Sequence, residues 1–326
     1  EEVADLAIRF LNVIMLSMIP LSIFFTFKQF TEGMSDTKTA MFITIGANGL
    51  NILLNYFLVF GTCGFPEMGV MGACWATFIS RVMMALSMFL YVRYSKKYSQ
   101  YKISFFKGKY SKEIFRAQLK IGIPSGLMFA LEVAAFAIPT LFIPGTAQLA
   151  AHRLAISLAA MTYMVSSGLG AAATIRVGHY VGMADRLGMR RAGFGAILLS
   201  LGFMMVSAIC FVIFRNELPA FFNNEKDVLM YTSSLLLIAA AFQLFDGVQV
   251  TAQGALRGLK DTVYPGWVAF IAYWLIGLPI SWYFCVKLEM GAAGVWYGFI
   301  AGLFVASIGF IRRFSKLTKS QIITSA

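Results

Sequence analysis

Nine mostly apolar stretches, each long enough to cross a bilayer, dominate the chain. They run near Leu6–Phe30, Thr39–Gly61, Gly69–Tyr94, Ala117–Ile143, Ala147–Val181, Met189–Phe214, Val228–Gly254, Val263–Val286 and Gly291–Ile311. About 20 apolar residues in a helix span the hydrocarbon layer. In lipid a segment must satisfy its own backbone hydrogen bonds, which selects the helix over an isolated strand. Hydrophobic residues make up 59% of the 326 and charged residues 13%, against roughly 25% charged in a soluble domain. A soluble core of this length could not hide so much apolar surface. The sequence therefore predicts an all-α polytopic membrane protein. It excludes a cytosolic enzyme, a disordered tail and a nucleic-acid-binding module. The fifth stretch is longer than a bilayer requires, so it is expected to tilt or to extend into water.

The net charge of +12 then follows from topology and needs no nucleic-acid partner. Nineteen of the 27 Lys and Arg fall on one side: in the connection after the third span, the other connections on that face, and the C-terminal tail. Only Arg215, Lys226 and Lys287 fall on the opposite side. The positive-inside rule makes the richer side, with the C-terminus, cytoplasmic. A plasma membrane is the expected location, the inner membrane in a bacterium. Cys63, Cys74, Cys210 and Cys285 are scattered, without CxxC spacing, and read as buried, inert thiols.

Two distant stretches match each other. Glu32-Gly33-Met34-Ser35-Asp36-Thr37 resembles Arg257-Gly258-Leu259-Lys260-Asp261-Thr262 at an offset of 225, and Glu67-Met68-Gly69-Val70-Met71-Gly72 resembles Glu289-Met290-Gly291-Ala292-Ala293-Gly294 at an offset of 222. Each second match opens a span with an early Trp, Trp75 or Trp296. Spans one to three thus correspond to spans seven to nine, a parallel repeat of the kind that builds transporters. The organisation expected is residues 1–95 as the last three helices of an N-terminal bundle, a basic linker over 96–116, and a six-helix C-terminal bundle over 117–326. About three further helices would complete the first bundle.

Of fifteen acidic residues, only Glu132 in the fourth span and Asp246 in the seventh sit near a bilayer midplane. A charged carboxylate there costs about 2.5–3.5 kcal/mol on insertion scales and normally faces a bundle interior or a wet cavity. At 100° per residue Gln243, Gln249 and Gln253 lie on the Asp246 side of their helix. The i±3 and i±4 neighbours of Glu132 are Met128, Phe129, Ala135 and Phe136, and Pro124 and Pro139 flank it, marking that span as a moving part. Both acids are expected to bind a cation. Asn48, Asn51 and Asn55 form one face of the second span, open to cavity lining or interhelical bonding. His152, Tyr163, Ser166 and Thr174 share a side of the fifth. Arg81, Arg153 and Arg176 lie within spans and either snorkel or pair with a carboxylate. Gly122–Gly126, Gly178–Gly182, Gly254–Gly258 and the run Gly294, Gly298, Gly302 have close-packing spacing. Walker A, HExxH and GxSxG motifs are absent, and Gly168-Leu169-Gly170 lies inside an apolar stretch rather than after a strand.

Leu149-Ala150-Ala151-His152 followed by Thr174-Ile175-Arg176-Val177-Gly178 resembles the multidrug and toxic compound extrusion (MATE) family. So do Phe245-Asp246-Gly247-Val248-Gln249-Val250, running on through Gly254-Ala255-Leu256-Arg257-Gly258, and Tyr273-Trp274-Leu275-Ile276-Gly277-Leu278-Pro279. The resemblance covers essentially the whole chain, as the family's fourth to twelfth helices. It implies a cation-coupled exporter of lipophilic, mostly cationic drugs or toxic compounds, working as a monomer in a lipid bilayer without an enzyme activity or a bound cofactor. The coupling ion would be Na⁺ or H⁺, held at Glu132 and Asp246. The expected cavity lining adds Phe242, Gln243, Gln249, Gln253, Asn48, Asn51, Asn55, Met128, Phe129 and Tyr163. Bacterial members often carry Tyr where this chain has Phe242, and Gln where it has Arg153. The alternatives are a lipid-linked oligosaccharide flippase, which needs basic residues around its cavity, and a membrane-embedded transferase, which needs a polar cluster at one interface.

Overall fold

The computed structural model describes residues 2–64, 66–101 and 111–319. Among them no strand forms, and nine helices are long and apolar enough to cross a membrane. They are α1 (Glu2–Gly33), α2 (Lys38–Phe60), α3 (Gly69–Tyr94), α4 (Lys112–Ala137, continued by a 3₁₀ turn Ile138–Phe142), α5 (Thr146–Gly182), α6 (Arg186–Ile213), α7 (Lys226–Gly258), α8 (Val263–Lys287) and α9 (Ala292–Lys319). The chain divides into two units, Glu1–Tyr110 and Ser111–Ala326, with the division inside the segment 96–116. Lys102, Lys107 and Lys109 of that segment lie outside the described residues. Lys112 and Arg116, read as part of the linker, instead lie in the first turns of α4. Ser111 starts that helix early because its hydroxyl accepts the Ile114 N–H at 3.4 Å. The 37 residues of α5 rise about 56 Å at 1.5 Å each, well beyond a hydrocarbon layer of ~30 Å.

In the first unit α3 packs against both α1 and α2. Phe24, Ala40, Ala85 and Met88 form its small core. Arg81 donates to the Ser17 hydroxyl at 2.5 Å rather than pairing with a carboxylate. The Cys74 thiol is buried and reaches the Phe10 carbonyl at 3.3 Å.

The internal repeat has a structural counterpart. After α1, Ser35 takes a left-handed φ of 62°, and the N–H groups of Ser35 and Asp36 return to the carbonyls of Glu32 and Thr31 at 2.9 and 2.8 Å. After α7, Lys260 takes a φ of 60°, and Lys260 and Asp261 return to Arg257 and Leu256 at 3.0 and 3.1 Å. Both are helix-ending turns that satisfy the last free carbonyls through one left-handed residue. Each turn aspartate is then held by a residue of the third helix of its repeat, Tyr91 of α3 or Arg313 of α9, with Asp36 held also by Lys97 and Tyr98 just beyond α3 and by Thr39 of α2. Asp36 accepts from the hydroxyls of Tyr91 at 3.0 Å, Tyr98 at 2.9 Å and Thr39 at 3.1 Å, and pairs with Lys97 at 3.1 Å. Asp261 pairs with Arg313 Nε at 2.7 Å. Tyr91 and Arg313 are 222 positions apart, the offset of the second sequence match. Burial pushes the Asp36 carboxyl upward, but the bonds from Tyr98, Lys97, Tyr91 and Thr39 outweigh it and hold the pKa at about 2. The Tyr98 phenol is raised by its burial and by the carboxylate it serves.

In the second unit α5 and α7 cross with their backbones in contact. A Cβ on Gly254 would land on the Gly170 carbonyl, and one on Gly258 would meet the Thr174 carbonyl. The Thr174 hydroxyl donates to the Gly254 carbonyl at 2.7 Å. From the sides, Ser200 of α6 and Ser307 of α9 donate to the Gly247 and Phe245 carbonyls of α7, both at 2.9 Å. Gly294, Gly298 and Gly302 of α9 lie tight against α8, while Gly122, Gly126 and Gly182 face open space. For those last three the close-packing expectation fails, because spacing marks a smooth helix face and not whether a neighbour stands on it. Trp296, Phe310, Phe314 and Leu303 are fully buried in this unit. Cys285 is buried, but Cys210 is exposed beside Val206, Ile209 and Ile213 on an apolar outer face of α6, which corrects the buried-thiol reading there. The Cys63 side chain lies outside the described residues.

The eighth span is not a uniform α-helix. Ile271–Gly277 and Tyr283–Lys287 are π-helical on either side of Leu278–Trp282. Pro279 lacks an N–H and its ring crowds the preceding turn, so the helix widens around it.

Candidate functional site

A cavity of about 280 Å³ lies within the second unit. Phe129, Glu132, Val133 and Phe136 of α4, Ile156, Ala159, Ala160 and Tyr163 of α5, and Phe242 and Asp246 of α7 line it. The two midplane carboxylates, 114 residues apart in sequence, therefore open onto one space from different helices. Glu132 is 9% exposed and Asp246 5%. Neither joins an ion pair among the described residues, whereas Asp261 of the same unit pairs with Arg313. An ionised carboxylate so enclosed needs a proton, a cation or strong hydrogen bonds to offset its desolvation.

Local structure explains the placement. The α5–α7 crossing fixes the helix that carries Asp246. Trp274 Nε1 donates to the Leu131 carbonyl at 3.2 Å, tying α8 to α4 one residue before Glu132. Gln249 Nε2 donates to Glu132 Oε1 at 3.3 Å, while the Gln249 Oε1 atom has no partner among the described residues. Gln253 Nε2 meets the Met128 sulfur at 3.4 Å, and Arg257 donates to Gln253 Oε1 at 3.2 Å. Gln243 is fully buried, with both amide atoms unpartnered among the described residues.

Of the expected lining, Phe129, Tyr163 and Phe242 border the cavity together with the two acids. Gln243, Gln249, Gln253 and Met128 do not: the glutamines are buried in the packing around α7, and Met128 opens onto a separate apolar groove with Pro124 and Trp267. A helical wheel gives the side of a helix, not the neighbour that stands there. Asn48, Asn51 and Asn55 belong to the first unit, where the Asn55 amide donates to the Asn51 side chain at 3.0 Å. His152, Ser166 and Thr174 serve packing. His152 is buried against Trp296 and Phe299, the Ser166 and Ser200 hydroxyls are hydrogen-bonded at 2.8 Å, and Thr174 bonds α7. Arg81, Arg153 and Arg176 do not line this cavity. The residues missed in sequence are Val133, Phe136, Ile156, Ala159 and Ala160, whose apolar side chains carry no signal separating them from lipid-facing ones. Phe136 also packs on Phe242, Tyr273 and Phe299 in an aromatic wall.

A family model described as MatE matches residues 1–57 and 124–283. A protein of Rhizobium meliloti (strain 1021) named probable multidrug resistance protein NorM is 34% identical over 325 residues, 98% of this chain and 70% of its own length. A protein of the same name from Bacillus subtilis (strain 168) is 33% identical over 319 residues, 97% of this chain and 71% of its own length. The fold matches the outward-facing conformation of a multidrug resistance MATE family transporter of the MOP superfamily with a TM-score of 0.87, at 20% identity, over 98% of this chain and 72% of that one.

Proposed function

Because the chain belongs to the MATE family, whose members move solutes rather than transform them, we propose that this multi-pass membrane protein is a multidrug exporter driven by the inward passage of Na⁺ or H⁺. One observation carries the reading: Glu132 and Asp246 line one aromatic-walled cavity, and neither has an ion-pair partner among the described residues. Phe129, Phe136, Phe242 and Tyr163 offer apolar area and ring faces to a lipophilic cation. The coupling cation and the cationic drug compete for the same negative charge, so each weakens the hold on the other. Neither can shift the inward–outward equilibrium by more than its differential affinity for the two states. The membrane potential adds about 2.3 kcal/mol per charge per 100 mV. The acidic oxygens and the Tyr163 hydroxyl that border the cavity are the oxygen ligands a hard cation prefers, and the carboxylates alone suffice for protons. The basic connections support a cytoplasmic C-terminus, and a monomer suffices because the acids share one unit.

The test uses the complete protein in membrane vesicles loaded with ethidium, with Na⁺ and H⁺ gradients imposed separately. Wild type is compared with Glu132→Gln and Asp246→Asn at equal expression. Each substitution is expected to slow gradient-driven efflux about tenfold or more, the factor that ~1.4 kcal/mol of lost coupling gives. Undiminished efflux in both variants refutes the assignment.

A further inference from the structure

A second cavity, of about 480 Å³, lies between α5 and α6 and uses none of the residues of the carboxylate site. Its walls run from Leu169 to Tyr180 on α5 and from Leu187 to Leu199 on α6. From Leu169 to Tyr180 the helix rises about 16 Å, half of a ~30 Å hydrocarbon layer. The groove is therefore as long as one leaflet is thick. Its inner part is apolar, with Leu169, Leu199 and small residues such as Gly195. Its outer part carries two guanidinium groups, Arg176 and Arg191, on facing helices. Arg176 is held over the Tyr180 ring, 5.5 Å from its centroid, and donates to the Tyr180 hydroxyl at 3.3 Å. Among the described residues neither arginine is in an ion pair. Asp185 also lines the outer part, where its carboxylate accepts the Gly188 N–H at 2.9 Å at the start of α6, so the two arginines leave the lining with a net positive charge.

We propose that this groove binds one anionic phospholipid of the leaflet that meets the basic connections. An acyl chain lies along the Leu169–Leu199 trough and the phosphate sits between Arg176 and Arg191. Charge complementarity selects the occupant: two guanidinium forks suit phosphate oxygens, and basic pockets between membrane helices at this level bind anionic headgroups. The apolar trough distinguishes a lipid from a soluble phosphate. The proposal is independent of the antiport reading.

The complete protein in a neutral detergent is titrated with phosphatidylglycerol or phosphatidylcholine, and bound lipid is counted by native mass spectrometry. One phosphatidylglycerol is expected to bind about tenfold more tightly than phosphatidylcholine, a preference that the Arg176→Gln/Arg191→Gln pair abolishes. Gly195→Leu fills the trough from a position whose Cβ meets open space and keeps both arginines. It is expected to lose the lipid while retaining the fold. Arg312→Gln/Lys316→Gln, which removes charge elsewhere on the same face, is expected to change nothing. Equal binding of the two lipids, unaltered binding in both the arginine pair and Gly195→Leu, or full displacement by soluble glycerol phosphate overturns the proposal. So does the absence of any retained lipid in the wild type.

Discussion

The Asp36 cluster allows a stability effect to be worked from structure. Its carboxyl titrates at about 2 in the folded chain against 3.8 unperturbed, and at 1.36 kcal/mol per unit this difference corresponds to roughly 2 kcal/mol. A lowered folded pKa means the contribution is complete above about 3.8 and disappears as the pH falls to about 2. Asp36→Asn keeps the size but removes the charge facing Lys97, Tyr91 and Tyr98. The expected loss is therefore roughly 2 kcal/mol near neutral pH and nothing near pH 2. Asp36→Ala should cost more, because the fully enclosed Tyr98 hydroxyl is left without an acceptor, worth about 1–3 kcal/mol. Hydrogen exchange at the amides of α1 and α3 in detergent reads the local opening free energy, and thermal denaturation across pH reads the window. If the Asp36→Asn protein matched the wild type near pH 7, or if their difference persisted undiminished near pH 2, the electrostatic account of the turn would be wrong.

At the equivalent turn of the second unit, Arg313→Gln and Asp261→Asn should each destabilise, and a double-mutant cycle should return a coupling of about 1 kcal/mol that shrinks in high salt. Gly254→Ala sets a methyl on the Gly170 carbonyl and should cost about 1–3 kcal/mol or prevent assembly, seen as loss of monodisperse protein. Gly126→Ala, into open space, should leave the yield unchanged or raise the melting temperature. In transport, Phe242→Ala opens the aromatic wall and should weaken binding of aromatic drugs, read as a higher KM for ethidium efflux, more than of small aliphatic cations.

The helices were legible because the solvent requirement is written along the whole chain: a continuous apolar run in lipid has little alternative to a helix. The repeat was legible because a helix-ending turn needs particular residues at fixed spacing, and Gly-x-x-Asp-Thr recurs after Glu32 and Arg257. The two acids stood out because charge is costly at that depth. Their place in the same half of the repeat already allowed them to share a pocket, but which side chains close it depends on how α4 leans on α8 through Trp274 and Leu131. The glutamine stripe illustrates the same limit: the period places Gln249 and Gln253 correctly around α7, but only the fold shows α4 standing against them with Glu132 and Met128. The π turns around Pro279 were hidden because hydropathy does not record hydrogen-bond register.

Where Gly170 and Gly254 touch, no side chain separates one main chain from the other. Sliding by a single residue, about 1.5 Å, would bring a bulkier neighbour onto a carbonyl, so the two rods travel as one rigid plank. Asp246 is carried on that plank. Glu132 rides on α4, which contains Pro124 and whose Gly122 and Gly126 meet no neighbour. Bending α4 therefore changes the spacing of the two acids while Asp246 stays fixed to α5.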